Sequence, residues 1–537
     1  NLLEKLMASL LPKLCNFVMD GGIWMNTQRP EWNDANNALV GNGLSMVTAF
    51  HIYRFLLFFE GLLIQTKSEA FEVSAEFFEF FEKVSAIYLQ YRELLGKTPD
   101  NTKNRLFLDA LGLAASDFRW KIYEHGFSSE KKHLNRNNIL TFINNAKEYL
   151  NETIKNNKRK DNLYHSYNLL TLGKNDYQIS HLDEMLEGQV AALASKALND
   201  SQVQDTLTAL KSSKLWREDQ GSYLLYPNKK LASFWDKNNI AKEDAENSKL
   251  AQRLLAIGNR SIILKDDDGK YHFAAHIKNN RVLRETISNI DDEIFQGLDT
   301  NREKAYLENI YEKVFNHKAF TGRSGTFFSY EGLGSIYWHM VSKLALSTQE
   351  NLINSAETTR DLPKMKSLYN EIVEGIGVNK APNQYGAFPS DPYSHTPSHK
   401  GAQQPGMTGQ VKEDILRVWS DLGIDIQEGV LKFHPKLLTI GDFIQEESRL
   451  DYYDVSGKKS TIELQKGQLF FTYCQVPIIY EISNSNRLKI MLKDGNERLS
   501  NELSLGLEWS EHLFGRTDII DKIYVYINVN ELFNSNI

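Results

Sequence analysis

The sequence predicts a mainly α fold that ends in a smaller β domain, and three observations carry that prediction. From residue 1 to about 375, apolar residues recur at three- and four-residue steps, as in FEVSAEFFEFFEKVSAIYLQY (Phe71–Tyr91) and GSIYWHMVSKLALSTQENL. Short polar connections separate these segments, which gives helical hairpins in series rather than a bundle of a few long rods. Beyond residue 424 the period shortens to that of strands in GQLFFTYCQVPIIYEI, RLKIMLKDG and KIYVYINV. A chain of 537 residues is too long for one ordinary domain. The expected division is a helical domain over residues 1–423 and an antiparallel β domain over 424–537.

Taken in chain order, NLLEKLMASLLPKLCNFVM starts at Asn1 in the middle of an amphipathic pattern and carries no signal-peptide pattern. The expectation is that more protein precedes it, that the helical ring is incomplete at its N-terminus, and that one flank exposes a long apolar patch. RPEWNDANNALVGNG (Arg29–Gly43) joins a proline, Trp32-Asn33-Asp34 and a helix start. FHIYRFLLFFEGLLI is interrupted by Arg54 and Glu60 and reads as a buried helix, so no membrane partner is expected. The basic run KNNKRK (Lys155–Lys160) reads as a solvated helix end or loop.

Between Lys214 and Phe273 the texture turns extended, with an Asp-Gly turn in SIILKDDDGKYHFAAHI, and an insertion near 214–275 is expected. HLDEMLEGQVAAL (His181–Leu193) and DQGSYLLYPNK (Asp219–Lys229) have the mixed polar-aromatic look of a substrate wall, although structural packing accounts for them better. Residues 376–410 form a long Pro/Gly/His-rich loop, a kind of segment that is usually functional in a compact domain. A last helix is expected over Val411–Leu422.

Composition excludes several function classes. Apolar residues make up 41% and charged residues 24%, with a net charge of −7 spread along the chain, so no concentrated basic surface for a nucleic acid is expected. Cys15 and Cys474 lie far apart without a Cys-x-x-Cys spacing, which argues against a disulfide framework or zinc cluster and for a reducing, cytoplasmic setting. His395 and His399 are four residues apart, but Pro397 between them breaks any helical metal pair, and no metal site is expected.

Three segments in this order resemble the inverting disaccharide phosphorylases of glycoside hydrolase family 94: EWND (Glu31–Asp34), EGLGSIYWH (Glu331–His339), and GMTGQVKEDILRVWSDLGIDIQEGVLKFHPKLL (Gly406–Leu438). Glu31 stands where that family has Asp. The resemblance implies an (α/α)6 toroid followed by a C-terminal β domain, and cleavage of a β-glycosidic bond with inversion. It implies inorganic phosphate as co-substrate with no other cofactor, an oligosaccharide substrate, and a homodimer as the candidate assembly.

Asp34 matches the family's general acid, the carboxylic acid that protonates a leaving sugar oxygen. Trp32 would offer a flat face to a sugar ring and a drier setting that raises the carboxyl pKa. A helix cap at Asn33 or Asp34 is the plainer alternative. His339 matches a phosphate-contacting histidine, against the alternative of a hydrogen-bonded core histidine. Thr408 and Gly409 precede a helix, where a hydroxyl and free N–H groups make an anion site or a simple cap. Glu331, Tyr393, Gln403 and Gln404, with His395 and His399 nearby, are candidates to line the sugar subsites.

Phosphorolysis needs one carboxylic acid, because phosphate itself attacks the anomeric carbon. An inverting hydrolase needs a second carboxylate about 6.5–9.5 Å from the acid. Glu331, Asp391 and Glu413 keep that reading open, as does a non-catalytic glycan-binding relative.

Overall fold

The computed structural model describes residues 1–26, 39–97, 100–228, 237–315, 334–355, 362–389, 392–398, 400–406 and 410–533. The expected mainly α toroid is corrected: the described residues are 48% helical and 22% strand, and the strands are spread over eight small sheets. Short strands run directly into helices. Phe71–Tyr91, read as one helix, is a strand over Ala70–Ser74 followed by a helix over Ala75–Gln90. The Gly334 segment likewise pairs through Ile336–Tyr337 before its helix over Trp338–Asn354 begins. Two to six residues of strand hold too few alternations to register against a helical period. Two other strand-to-helix junctions are capped by side chains: Ser45 Oγ accepts from Thr48 N at 3.0 Å, and Asn135 accepts from Asn137 N at 2.8 Å, whereas Ser74 and Tyr337 make no such cap.

The helices over Leu2–Leu14, Met46–Gln65, Ala75–Gln90 and Arg136–Asn156 share one apolar core, where Phe17, Tyr88, Phe107 and Tyr149 pack ring against ring. A second core joins Leu186–Ala194, Asp200–Lys211, Trp338–Asn354 and Leu362–Glu374. Met46–Gln65 is long and apolar enough to cross a membrane by length and composition. Here its Met46, Phe50, Leu56 and Leu63 are buried in the first core. Arg54, one of the residues interrupting that run, makes a bidentate pair with Glu350 at 2.8 and 3.0 Å and donates to Ala194 O at 3.0 Å. One guanidinium therefore ties three helices together across the two cores.

Residues 237–315 carry a core of their own, built from Ile240, Leu250, Leu254, Phe273, Leu283, Leu307 and Tyr311. The Asp-Gly hairpin forms as read, with Ile263–Lys265 paired to Tyr271–Phe273. The residues before it are short helices over Lys242–Asn247 and Lys249–Ala256 rather than extended chain. Both ends of the unit meet on that hairpin: Asn238 Nδ2 donates to Phe273 O at 2.9 Å, and the Phe315 ring lies 6.2 Å from that of Phe273. Replacing residues 238–314 by a short Gly-Ser bridge should leave a protein that unfolds cooperatively within a few degrees of the parent. Loss of a calorimetric transition would show that the two cores depend on each other.

The C-terminal sheet has the order Gln468–Tyr473, Val476–Ser483, Ile520–Asn528, Arg487–Leu492, Glu497–Ser500. It is mixed rather than wholly antiparallel, because Val476–Ser483 and Ile520–Asn528 run parallel, with a helix over Gly506–Phe514 in the connection. Tyr480 OH donates to Leu422 O at 2.7 Å, and Trp419 packs edge-on against Tyr473. These contacts seat the sheet on the helix over Gln410–Asp421.

Candidate functional site

Residues 376–410 are not structureless. They contain a 3-10 turn over Gly377–Asn379, a helical turn over Pro382–Tyr385, and strands over Tyr393–Thr396 and Gln403–Pro405. Both strands join Ile336–Tyr337 in a three-stranded sheet. Register places Tyr337 opposite His395 and His395 opposite Gln403. Directly opposed residues project from the same face. The sheet therefore presents one row, Tyr337–His395–Gln403, with the Tyr337 and His395 rings stacked at 5.6 Å. Gly334 opens this strand at φ +68°, and a Cβ there would meet Asn228 and Ser398 at 3.0–3.2 Å, so the turn needs glycine.

His339 sits in the first turn of Trp338–Asn354, edge-on to Tyr337 at 6.3 Å. Burial pushes its imidazole down to about pKa 4, and the ammonium groups of Lys343 and Lys412 reinforce that shift. Lys343 lies one helical turn after His339 and also depresses His51, after burial and together with Arg54. His51 belongs to the helix that follows the Asp34 segment. Lys343 thus acts on both neutral imidazoles and Lys412 on His339, with Lys412 Nζ also 3.8 Å from the buried Glu413 carboxylate; the two lysines make an electropositive point beside His339, which suits an anion. Sequence reasoning singled out His339 and passed over Lys343, Lys412 and His51, which the structure places in electrostatic reach of one another through His339 and Lys343. The four-residue step from His339 to Lys343 was the available signal.

Gln403 and Gln404 are exposed on the strand edge, with Gln404 at φ +58° and Gln403 donating to Gly401 O at 2.9 Å. Tyr393 is buried in the second core, edge-on to Tyr385. Glu413 is 5% exposed, and its Oε2 has no hydrogen-bond partner among the described residues. Burial raises the neighbouring Asp414 carboxyl. Asp34, Trp32, Glu331, Asp391, His399, Thr408 and Gly409 lie outside the described residues.

A separate cleft of about 690 Å³ is lined by Arg159, His165, His181, Glu184, Ser213 and Lys214 among others. It takes in the start of the His181–Leu193 stretch. His165 and His181 stack at 3.8 Å with their planes 10° apart. Asn168 Nδ2 donates to Gly21 O and Asn157 Oδ1, so Asn168 Oδ1 is free to accept from His181 Nδ1–H at 2.7 Å. Burial, His181 and Arg159 push His165 down to about pKa 4.

Between pH 6.5 and 4 the unfolded chain therefore binds protons that His165 and His339 refuse in the folded state. Stability should rise with pH across this window and fall on acidification through it. Thermal unfolding at half-unit pH steps checks this, and His165→Gln should flatten the slope. An unchanged slope would mean that His165 titrates normally.

Residues 231–318 match the family model described as GH149 phosphorylase insertion domain 2. The match covers the unit with the separate core and supports a GH149-type phosphorylase family, an enzyme acting on glycosides. It does not support glycoside hydrolase family 94 specifically, which corrects the narrower resemblance. No curated protein matches the chain.

Proposed function

We propose that this chain carries the phosphorolytic centre of an inverting glycoside phosphorylase acting on a β-linked gluco-oligosaccharide. The match of residues 231–318 to a phosphorylase insertion domain is the observation that carries this reading. The lysine-flanked His339 supports it, because a phosphate needs donors and positive charge on the face of the sugar opposite the acid. Asp34 delivers its proton to the departing glycosidic oxygen. A phosphate oxygen attacks the anomeric carbon from the other face, the glycosidic C–O bond breaks, and the product is a sugar 1-phosphate of inverted configuration. His339, Thr408 and Gly409 hold the phosphate with Lys343 and Lys412. Trp32, Glu331, Tyr393, Gln403 and Gln404 border the sugar.

Neutral His339 is suited to this task. It donates one N–H without carrying a charge of its own, and a bound dianion would raise its pKa. The test is release of sugar 1-phosphate from a panel of β-linked gluco-oligosaccharides, with and without phosphate, using the full-length protein. Phosphate-independent release of reducing sugar would instead identify a hydrolase, for which the buried Glu413 carboxylate is the described candidate base. Binding without turnover would identify a glycan-binding relative.

A further inference from the structure

We propose that Lys380 and Arg217 form an internal site for one small monovalent inorganic anion, a halide, behind Trp338 and apart from the phosphate position at His339. Lys380 ends the Gly377–Asn379 turn and is 8% exposed. Its Nζ stands 4.7 Å from the centroid of the Trp338 ring and has no hydrogen-bond acceptor among the described residues. An ammonium taken out of water needs an acceptor or a counter-charge, and an aromatic face supplies only part of what is lost.

The second cation shares its neighbours: Arg217 donates to Thr396 O, and Trp338, whose ring Lys380 faces, donates from Nε1 to Thr396 Oγ1 at 2.9 Å. Arg217 is also buried, and it spends its donors on Asp219 (2.8 and 3.0 Å), Thr396 O (2.9 Å) and Gly334 O (3.5 Å). Its charge opposes that of Lys380, which burial first and Arg217 second push down to about pKa 8. At neutral pH Lys380 is still protonated. Asp219 is the carboxylate that acts on both cations, yet its side chain is 62% exposed and already engaged on two Arg217 nitrogens. Two buried cations against one exposed carboxylate leave an excess of one positive charge.

Ser335 follows the Gly334 carbonyl that Arg217 contacts, and its buried hydroxyl has no partner among the described residues. That hydroxyl is a donor without an acceptor beside cations without enough anions. The excess of one charge selects a monovalent anion over a phosphate dianion, and the Trp338 ring, itself in edge-on contact with Tyr385 at 5.4 Å, bounds the ammonium on one side. Chloride is the probe of that class.

The experiment compares thermal unfolding in sodium chloride and sodium gluconate at equal ionic strength, for the wild-type chain and Lys380→Met. The expected result is a saturable rise of about 1–3 °C in chloride for the wild type and none for the variant. Equal melting in the two salts, or an equal rise in both proteins, overturns the proposal. Should Lys380→Met fail to fold, crystals of the wild type in sodium bromide decide the matter. An anomalous peak within hydrogen-bonding distance of Lys380 Nζ supports the site, and its absence overturns it. None of these readouts depends on turnover, so a failed activity assay leaves the test intact.

Discussion

Replacing Asp34 by Asn is expected to lower turnover of an unactivated β-linked disaccharide by about 10²–10⁴-fold, the usual worth of general-acid help. An amide has no proton to give at the pKa of a carboxylic acid, so the departing alkoxide must leave unaided. Asn caps a helix about as well as Asp, and thermal stability should hardly move. The loss should shrink sharply for a glycosyl fluoride or nitrophenyl glycoside, whose leaving group departs without protonation. Wild-type rates on the natural disaccharide from Asp34→Asn would reduce Asp34 to a cap. A uniform loss on both kinds of substrate would point to misfolding instead.

His339→Gln is expected to raise the KM for phosphate by about 10–100-fold, the range set by losing one hydrogen bond to a charged group. The electropositive point depends on several groups, so Lys412→Gln should have a smaller effect that fades as ionic strength rises. Lys412 is solvent-facing whereas His339 is half-buried, and screening reaches the former. Initial rates over a phosphate series at two salt concentrations check both expectations. An unchanged KM for phosphate in His339→Gln would place the co-substrate elsewhere.

How much of this was legible depended on how many residues each feature spends. Long helices such as Met46–Gln65 and Trp338–Asn354 repeat their apolar spacing over four turns or more and announce themselves. The strands ahead of them occupy two or three residues, and no period survives at that length. The helices at Lys242–Ala256 are similarly short, which made the insertion read as extended chain. The parallel pairing of Ile478 with Ile523 bridges more than forty residues and leaves no local trace. His339 could be found because it stands in a Gly-rich segment. Lys412 could not, since only the packed helices bring its charge to His339.

On either side of the separate core at residues 237–315 the main fold is closed by one hydrogen bond, from Leu225 N to Ser335 O at 3.1 Å. A segment that closes on itself in this way could have been acquired by one recombination event, with no second junction to repair. It could also diverge at its own pace, because substitutions in its separate core do not have to be matched by changes around His339. The description that residues 231–318 match is that of an insertion domain, as such a history would leave behind.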